Sequence, residues 1–490
     1  MNPFLSEFQT PYGVPPFGLI RFEHFQPAFE AGFAEQIAQY KEIEDHPEDA
    51  TFANTMEALE RSGAILRRVS RVFYSLLGTD STVEMSELSK EIGAQMAAHS
   101  NRLYLSQKMY QRIDSLHQNP DLNWDVEERR LIDEKHRKFV RSGVQLQKDK
   151  RERLSEIDEE IATLSSGYRD NLLSENNSSM ILISEEHELE GIPSSMIDAA
   201  EELAREEGHS NAWLFTAKRT TLYPFLTYAK SRTHREKLYK AYLNRAWRGN
   251  EHDNRNIAEQ IATLRIEKAN VLGFSNFASY VLQDSMAKSP EKVLEFLDQI
   301  WEASSKSAKN ELSLLQDKMQ RDGVEGAVAA WDWWYYAEKV RTEQFAFRED
   351  EVKPYFATDL VLKGAMSVAS SLFKIQFKET KDLPTYHSEV RTFAVWNEDE
   401  SAVIGILYID YYTRSSKRGG AWMSSFQSQS TMDGAVLPVV INVCNFSPPT
   451  KNTPSLLSSG EVKTLFHELG HALHGLLSSV KYPSLSGTSV

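Results

Sequence analysis

Several features that would suggest a secreted, membrane or nucleic-acid-binding protein are missing from this sequence. Its only cysteine is Cys444, so an internal disulfide bond is impossible, which fits a reducing compartment. No stretch approaches 18 consecutive apolar residues, and residues 1–17 lack the basic and apolar regions of a signal peptide. The formal net charge of −15 argues against a general binder of phosphate backbones. We therefore expect a cytoplasmic protein with neither membrane nor nucleic acid as a partner.

The remaining composition is that of a large, ordinary globular protein. Charged residues make up 26% and hydrophobic residues 41% of the 490 positions, so the chain can bury a sizeable core in two or more lobes. Four prolines within residues 1–20 predict an extended strap, and helical periodicity begins near Phe22. Longer helices are predicted from apolar spacing at residues 154–172, 236–247, 256–272, 290–319 and 330–345. The aromatic run at residues 332–336 within the last of these is interpreted as core packing rather than a binding patch.

Short apolar runs predict strands in two places. Met180–Ile183 interrupts the helical series. Three further runs, at residues 392–396, 402–410 and 436–445, predict a small sheet shortly before the end of the sequence. Pro438 within the last run favours an edge strand, because proline cannot donate a ladder hydrogen bond. Such an edge could hold an extended peptide through the main chain at Ile441 and Val443, and an ordinary capped edge is the equal alternative.

The motif H-E-x-x-H occurs at His467-Glu468-Leu469-Gly470-His471. Histidines four residues apart lie on the same side of a helix, where two imidazoles can bind one Zn²⁺. The glutamate next to the first histidine can then take a proton from water at the metal. We therefore predict His467 and His471 as metal ligands and Glu468 as the catalytic base.

Local sequence supports a helix at this motif. Ser458 and Glu461 form a capping box, S-x-x-E, directly before it. One apolar stripe recurs at spacings of three and four, opposite the histidines: Val462, Leu465, Phe466, Leu469, Leu473 and Leu476. His474 shares the histidine face, but its rise of about 10 Å from His467 is too large for both to bind one ion. We interpret His474 as a supporting or packing residue.

A third metal ligand is not apparent near the motif. A catalytic zinc site needs three protein ligands and an open position. Residues 472–490 contain no Asp, Glu or Cys, and their only histidine is His474. Either the third ligand lies upstream or this sequence is part of a longer polypeptide.

Longer segments resemble a known family, the thimet-oligopeptidase-like zinc metallopeptidases. The similar segments lie at residues 264–274, 405–423 and 454–478, including G-I-L-Y-I-D-Y-Y-T-R-S-S-K-R-G-G-A-W-M and P-S-L-L followed by the H-E-x-x-H helix. The segment P-Y-G-V-P-P-F-G-L-I-R-F-E-H-F-Q-P-A-F-E at residues 11–30 is most similar to the bacterial peptidyl-dipeptidases (dipeptidyl carboxypeptidases) of that family. The resemblance covers the entire chain.

The resemblance implies a mostly α-helical, clam-shaped zincin metallopeptidase with a deep cleft and a small β-sheet beside the zinc helix. We expect residues 1–150 and 346–490 to form the lobe with the zinc helix, and residues 151–345 to form the opposing helical lobe. The implied reaction is hydrolysis of short peptides, with release of C-terminal dipeptides, and the implied cofactor is one Zn²⁺ per complete site.

The family's third ligand is a glutamate that follows a G-T-x-x-x-D-F-V-E-type stretch, of which this sequence contains only the beginning, residues 487–490. The resemblance therefore implies that the third ligand is not in this chain and that a C-terminal fragment of the same enzyme acts as a second chain. The chain alone is then expected to be inactive. Two alternatives remain, an endo-acting oligopeptidase of the same family and an inactive peptide-binding fragment.

Overall fold

The computed structural model describes residues 2–119, 123–346, 349–449 and 453–489. The chain divides into two compact units, one formed by Met1–Ala162 with Val352–Val490 and the other by Thr163–Glu351. The sequence-based boundaries, after residues 150 and 345, differ from these by 12 and 6 residues. The prediction of a mostly helical protein with a small sheet is confirmed. None of the described helices is long and apolar enough to cross a membrane.

The N-terminal part of the first unit is helical. Its helices, in chain order, are α1 (Phe25–Glu44), α2 (Ala58–Arg61), α3 (Ala64–Thr79), α4 (Val83–Tyr104), α5 (Gln107–His117) and α6 (Val126–Arg141), and α7 (Lys148–Ser178) spans the unit boundary. The proline-rich start is not fully extended, because short 3-10 turns form at Pro3–Leu5 and Pro11–Gly13. Phe4 and Val14 are fully buried, so this segment belongs to the core.

The second unit combines a two-stranded sheet with helices. The predicted strand β1 (Met180–Ile183) pairs with an unpredicted one, β2 (Trp213–Thr216), in antiparallel register. The helices are α8 (Ser194–Glu206), α9 (Arg219–Tyr228), α10 (Arg232–Leu243), α11 (Arg255–Val271), α12 (Phe277–Leu282), α13 (Pro290–Arg321) and α14 (Trp333–Phe345), with α15 (Glu349–Val352) at the boundary. The aromatic run at residues 332–336 packs in the structure as predicted. Tyr336 is buried, and the buried Asp332 is paired with Arg232 and Arg235.

The sheet of the first unit has five strands in the order β3-β4-β5-β7-β6. The chain enters it from α16 (Thr358–Phe373) and leaves it for α17 (Ser459–Leu476). The strands are β3 (Ile375–Thr380), β4 (Arg391–Asn397), β5 (Val403–Tyr412), β6 (Trp422–Gln427) and β7 (Val439–Phe446). β5 and β7 are parallel, and the other neighbouring pairs are antiparallel.

Helices cover this sheet on both sides, so the side chains on both of its faces are buried. Side chains alternate along a strand, so Ile441 and Val443 enter the core shared with α1 and α3. Val440 and Cys444, one residue out of phase, enter the second core with α16 and α17. Burial on both faces explains why β7 reads as a nearly continuous apolar run.

The prediction that this strand lies on the edge of the sheet is wrong. β7 pairs with β5 on one side and β6 on the other, so its main chain cannot accept a further strand at Ile441 and Val443. Pro438 directly precedes β7, so its missing N–H costs no ladder bond, while its carbonyl accepts a hydrogen bond from the N–H of Ile406 at 2.9 Å. The edge strand on this side of the sheet is β6.

Candidate active site

The helix that carries H-E-x-x-H begins at the predicted capping box. Ser458 Oγ accepts a hydrogen bond from the Glu461 N–H at 3.2 Å, and Glu461 Oε2 accepts one from the Ser458 N–H at 2.8 Å. The two contacts satisfy N–H groups that the first turn of a helix otherwise leaves without partners. The start of α17, and hence the orientation of the motif eight residues later, is fixed by local sequence.

The apolar stripe of α17 packs on the sheet. Leu465, Leu469 and Leu476 are at most 2% exposed and lie in the core with β5 and β7. Phe466 departs from the prediction, because it is 42% exposed. The contact with the sheet is close at Gly475, where an added Cβ would lie 2.9 Å from Met423 Cε of β6. The tight contact places α17 directly against the edge strand.

His467 and His471 project from the opposite, exposed face of α17. Their Nε2 atoms are 3.2 Å apart. Two nitrogens bound to one tetrahedral zinc ion at about 2.0–2.1 Å are separated by about 3.3 Å. The side chains therefore already have the spacing of two ligands of one zinc ion. His474 is also exposed, one turn further along the helix.

Glu468 is only 6% exposed and faces the sheet side of the helix. Its carboxylate lies close enough to Tyr411 and Cys444 to contribute, after burial, to raising the pKa of both groups. The side chain of Asn442 is fully buried and lies on the same face of the sheet as those of Val440 and Cys444 on β7. The Asn442 side chain is the hydrogen-bonding neighbour of the Tyr411 hydroxyl and partly offsets the rise in the pKa of Tyr411, but their contact lacks the geometry of a good hydrogen bond.

Sequence reasoning missed Tyr411 and Asn442. The only available signal was the polar asparagine in an otherwise apolar strand, V-V-I-N-V-C. Such a residue is costly to bury, so it marks a position where packing alone does not explain the choice.

A buried ion-pair cluster fixes the loop that leads into the edge strand. Lys417 Nζ lies 2.9 Å from Asp410 Oδ1, and both side chains are fully buried. Arg414 donates to both oxygens of Asp410, and the Tyr386 hydroxyl donates to Oδ2. Burial alone would raise the pKa of Asp410, but the cations and these hydrogen bonds hold it below its ordinary value. The D-Y-Y-T-R-S-S-K segment thereby ties the end of β5 to the approach to β6.

The described residues do not complete a three-ligand site at His467 and His471. Among them, the one group of three or more histidine, cysteine or carboxylate side chains with metal-ligand spacing is Asp114, His117 and His136, on α5 and α6. Within the described residues, no further histidine, cysteine or carboxylate side chain has metal-ligand spacing to both motif histidines.

The site combines two exposed imidazoles at zinc-ligand spacing, one helical turn apart, with a buried glutamate on the same capped helix. These features define the H-E-x-x-H class of metallopeptidases. The model of Peptidase family M3 matches residues 225–490. The chain belongs to this family, whose members are peptidases that depend on zinc in general.

Sequence relatives extend the similarity over the entire chain. It is 38% identical over 492 residues to dipeptidyl carboxypeptidase of Salmonella typhimurium and 36% identical over 491 residues to that of Escherichia coli K12, covering 100% of this chain and 72% of each relative. Oligopeptidase A of Haemophilus influenzae is 30% identical over 97% of this chain and 70% of its own length. The chain thus spans about 72% of the length of the dipeptidyl carboxypeptidases it matches.

A solved structure supports the fold. A putative oligoendopeptidase F matches with a TM-score of 0.51 at 14% identity, covering 94% of this chain and 64% of the other. At this identity the match concerns the fold alone.

Proposed function

We propose that this chain contains the zinc-binding helix of a metallopeptidase that releases dipeptides from the C-terminus of short peptides. The observation that carries the proposal is the 3.2 Å separation of His467 Nε2 and His471 Nε2 on an exposed helix face. The identity of 36–38% to two dipeptidyl carboxypeptidases over the entire chain supports the choice of reaction.

One Zn²⁺ fits between the two imidazoles, and a carboxylate from outside the described residues would be its third protein ligand. Two histidines alone leave half of a tetrahedral coordination sphere to solvent, so we expect weak binding of zinc by the described residues. We infer that the missing ligand lies in the part of the dipeptidyl carboxypeptidases, about 28% of their length, that the chain does not span. This segment, as a second chain or a continuation, is the proposed partner.

Zinc at this position would supply Lewis-acid chemistry, lowering the pKa of water and polarising a carbonyl group. Glu468 is the proposed general base, which takes a proton from the attacking water and passes it to the leaving amine. Its side chain is only 6% exposed, and its place next to His467 in the motif allows its carboxylate to reach water at the metal.

The edge strand β6 replaces Ile441 and Val443 as the proposed substrate-binding strand. The side chains of Ile441 and Val443 are fully buried, and their strand already has two neighbours. β6 has one neighbour, lies against α17, and keeps Trp422, Met423 and Ser424 partly exposed. An extended peptide could therefore add to β6 through main-chain hydrogen bonds, which would align its carbonyl groups with the zinc helix.

An endo-acting oligopeptidase is the second candidate, because oligopeptidase A of Haemophilus influenzae is 30% identical over most of the chain. The two activities differ in their need for a free C-terminal carboxylate. A peptide with an amidated C-terminus would be cleaved by an oligopeptidase and spared by a peptidyl-dipeptidase. A non-catalytic peptide-binding chain would cleave neither form.

The test compares the 490-residue chain alone with the chain co-expressed with the C-terminal segment of the Salmonella relative that it does not span. We expect tight zinc binding and release of dipeptides from an N-blocked tripeptide only in the second preparation.

Glu468→Gln in that preparation should keep its zinc and lose about 10²–10⁴-fold in kcat, because the ligands remain and the base is gone. Lys463→Gln, on the exposed surface of the same helix, is the matched control and should keep full activity. Full turnover by Glu468→Gln would refute the role of this residue, and stoichiometric zinc with activity in the chain alone would refute the need for a further ligand.

A further inference from the structure

A second group of metal-ligand side chains lies on α5 and α6, outside the candidate active site. The two helices share a buried apolar contact that includes Ile113, Leu116 and Ile132. Above it, each helix contributes an aspartate and a histidine three residues apart, Asp114 with His117 and Asp133 with His136. Residues at this spacing lie on the same face of a helix, and facing carboxylate-x-x-histidine pairs are a known way to build metal sites between helices.

The four side chains contact each other across the helix pair. His136 Nε2 lies 3.0 Å from Asp114 Oδ1, and His117 Nε2 lies 3.4 Å from Asp133 Oδ1. The two imidazole rings are stacked, with centroids 3.9 Å apart and planes 5° from parallel. Parallel rings direct their nitrogen lone pairs into parallel planes, so one ring must turn before both can bind a single ion.

We propose that Asp114, His117 and His136 form a binding site for a divalent transition-metal ion such as Zn²⁺ or Co²⁺. Their ligand atoms all lie within 4.8 Å of one another. The His136 and Asp114 atoms already have a separation suited to one ion, whereas the His117 ring must turn and move by up to about 1.5 Å to reach the spacing of about 3.3 Å between tetrahedral ligands. Two imidazoles and one carboxylate are a donor set that favours zinc or cobalt over magnesium or calcium.

The surroundings suit a three-ligand site with an open position. The exposed fractions of the His117, Asp114 and His136 side chains are 30%, 25% and 19%, so an ion and a water molecule can reach them. Asp133 Oδ1 lies 3.4 Å from His117 Nε2 without making a hydrogen bond of good geometry, which leaves this nitrogen available to the ion.

Two nearby groups oppose or modulate binding. Arg129 is the cation facing the cluster, and its Nε lies 3.2 Å from Asp133 Oδ1. Asp133 thus neutralises Arg129 and is not counted as a ligand. The Tyr110 hydroxyl lies 3.3 Å from both Asp114 Oδ1 and His136 Nε2 and accepts a hydrogen bond from Gln145. Metal binding would replace the contact between Tyr110 and His136.

The test separates this site from the motif histidines. In the His467→Ala/His471→Ala background, titration with Zn²⁺ and the visible spectrum of bound Co²⁺ should show one equivalent of metal. Adding His136→Ala should weaken this binding at least 10-fold, whereas adding His209→Ala, an exposed histidine of the second unit, should not change it. Because the background lacks both motif histidines, failure of the proposed peptidase site and failure of this site give different results.

A metal-free background variant, or equal binding with and without His136, would overturn the proposal. Far-UV circular dichroism checks that each variant is folded. If His136→Ala unfolds, Asp114→Asn keeps the shape of the side chain and removes only its charge, and it should still weaken Zn²⁺ binding at least 10-fold. Unchanged affinity in folded Asp114→Asn would show that the four side chains form a structural ion-pair group.

Discussion

Gly475→Ala tests how tightly the candidate zinc helix is seated on the sheet. The new Cβ would lie 2.9 Å from Met423 Cε and 3.1 Å from Val440 Cγ2. Carbon atoms in contact prefer about 3.5–4.0 Å, so the flexible end of Met423 must move aside and Val440 or the helix must shift by about 0.4 Å. Overpacking of this kind costs about 1–3 kcal/mol, and the better helix propensity of alanine offsets about 1 kcal/mol. We expect a net loss of about 0–2 kcal/mol in the free energy of unfolding.

Gly470→Ala is the matched control on the same helix. Nothing lies within 4 Å of its added Cβ, so only the propensity gain of about 1 kcal/mol remains. Urea denaturation should place the two variants on opposite sides of the parent, about 1–3 kcal/mol apart, with unchanged slopes. Equal effects of the two substitutions would show that the contact between α17 and β6 is not as close as the structure has it. In Gly475→Ala, a shift of α17 away from the sheet would also move His467 and His471 relative to the edge strand.

Two further variants probe the buried polar groups of the first unit. Asp410→Asn should lower the free energy of unfolding by about 3–5 kcal/mol in urea denaturation, because it leaves Lys417 as a buried charge without its counterion. Asp433→Asn, which breaks an exposed ion pair, should cost at most about 1 kcal/mol. Because the pKa of Asp410 is lower in the folded state, its contribution is complete above the ordinary value of about 3.9 and is lost as the pH falls below it. A flat stability curve below pH 4 would contradict this. Asn442→Leu combined with Tyr411→Phe should raise stability by about 1–2 kcal/mol, since the pair of substitutions removes buried polar atoms that lack a hydrogen bond of good geometry and leaves neither partner behind. A loss of stability would show that the amide has a partner.

Local sequence was sufficient for the zinc helix and for much of the secondary structure. The capping box at Ser458 and Glu461, the leucine spacing and the position of the histidines on the exposed face all depend on contacts within a few residues. The strands at residues 180–183, 391–397 and 403–412 were found because runs of β-branched and aromatic residues are a local signal.

The arrangement of the strands was decided by tertiary structure. β6 has the sequence W-M-S-S-F-Q, which lacks a regular apolar alternation, and it is a strand because it pairs with β7. The proline before β7 suggested an edge, but Pro438 precedes the strand, so its missing N–H does not prevent β7 from pairing on both sides. A pattern within one strand does not specify its neighbours, since pairing joins segments that are far apart in sequence.

The two candidate metal sites also differ in whether sequence or tertiary structure determines them. The sequence alone determined that His467 and His471 share a helix face, because four residues make about one turn. It equally contains the pairs Asp114 with His117 and Asp133 with His136, yet nothing in their spacing indicates that the pairs meet. Only the packing of α5 on α6 brings the rings within 3.9 Å, and only packing buries Asn442 and Tyr411 on the sheet side of Glu468. Contacts within one helix follow from its geometry, whereas contacts between elements depend on the apolar surfaces that the fold buries together.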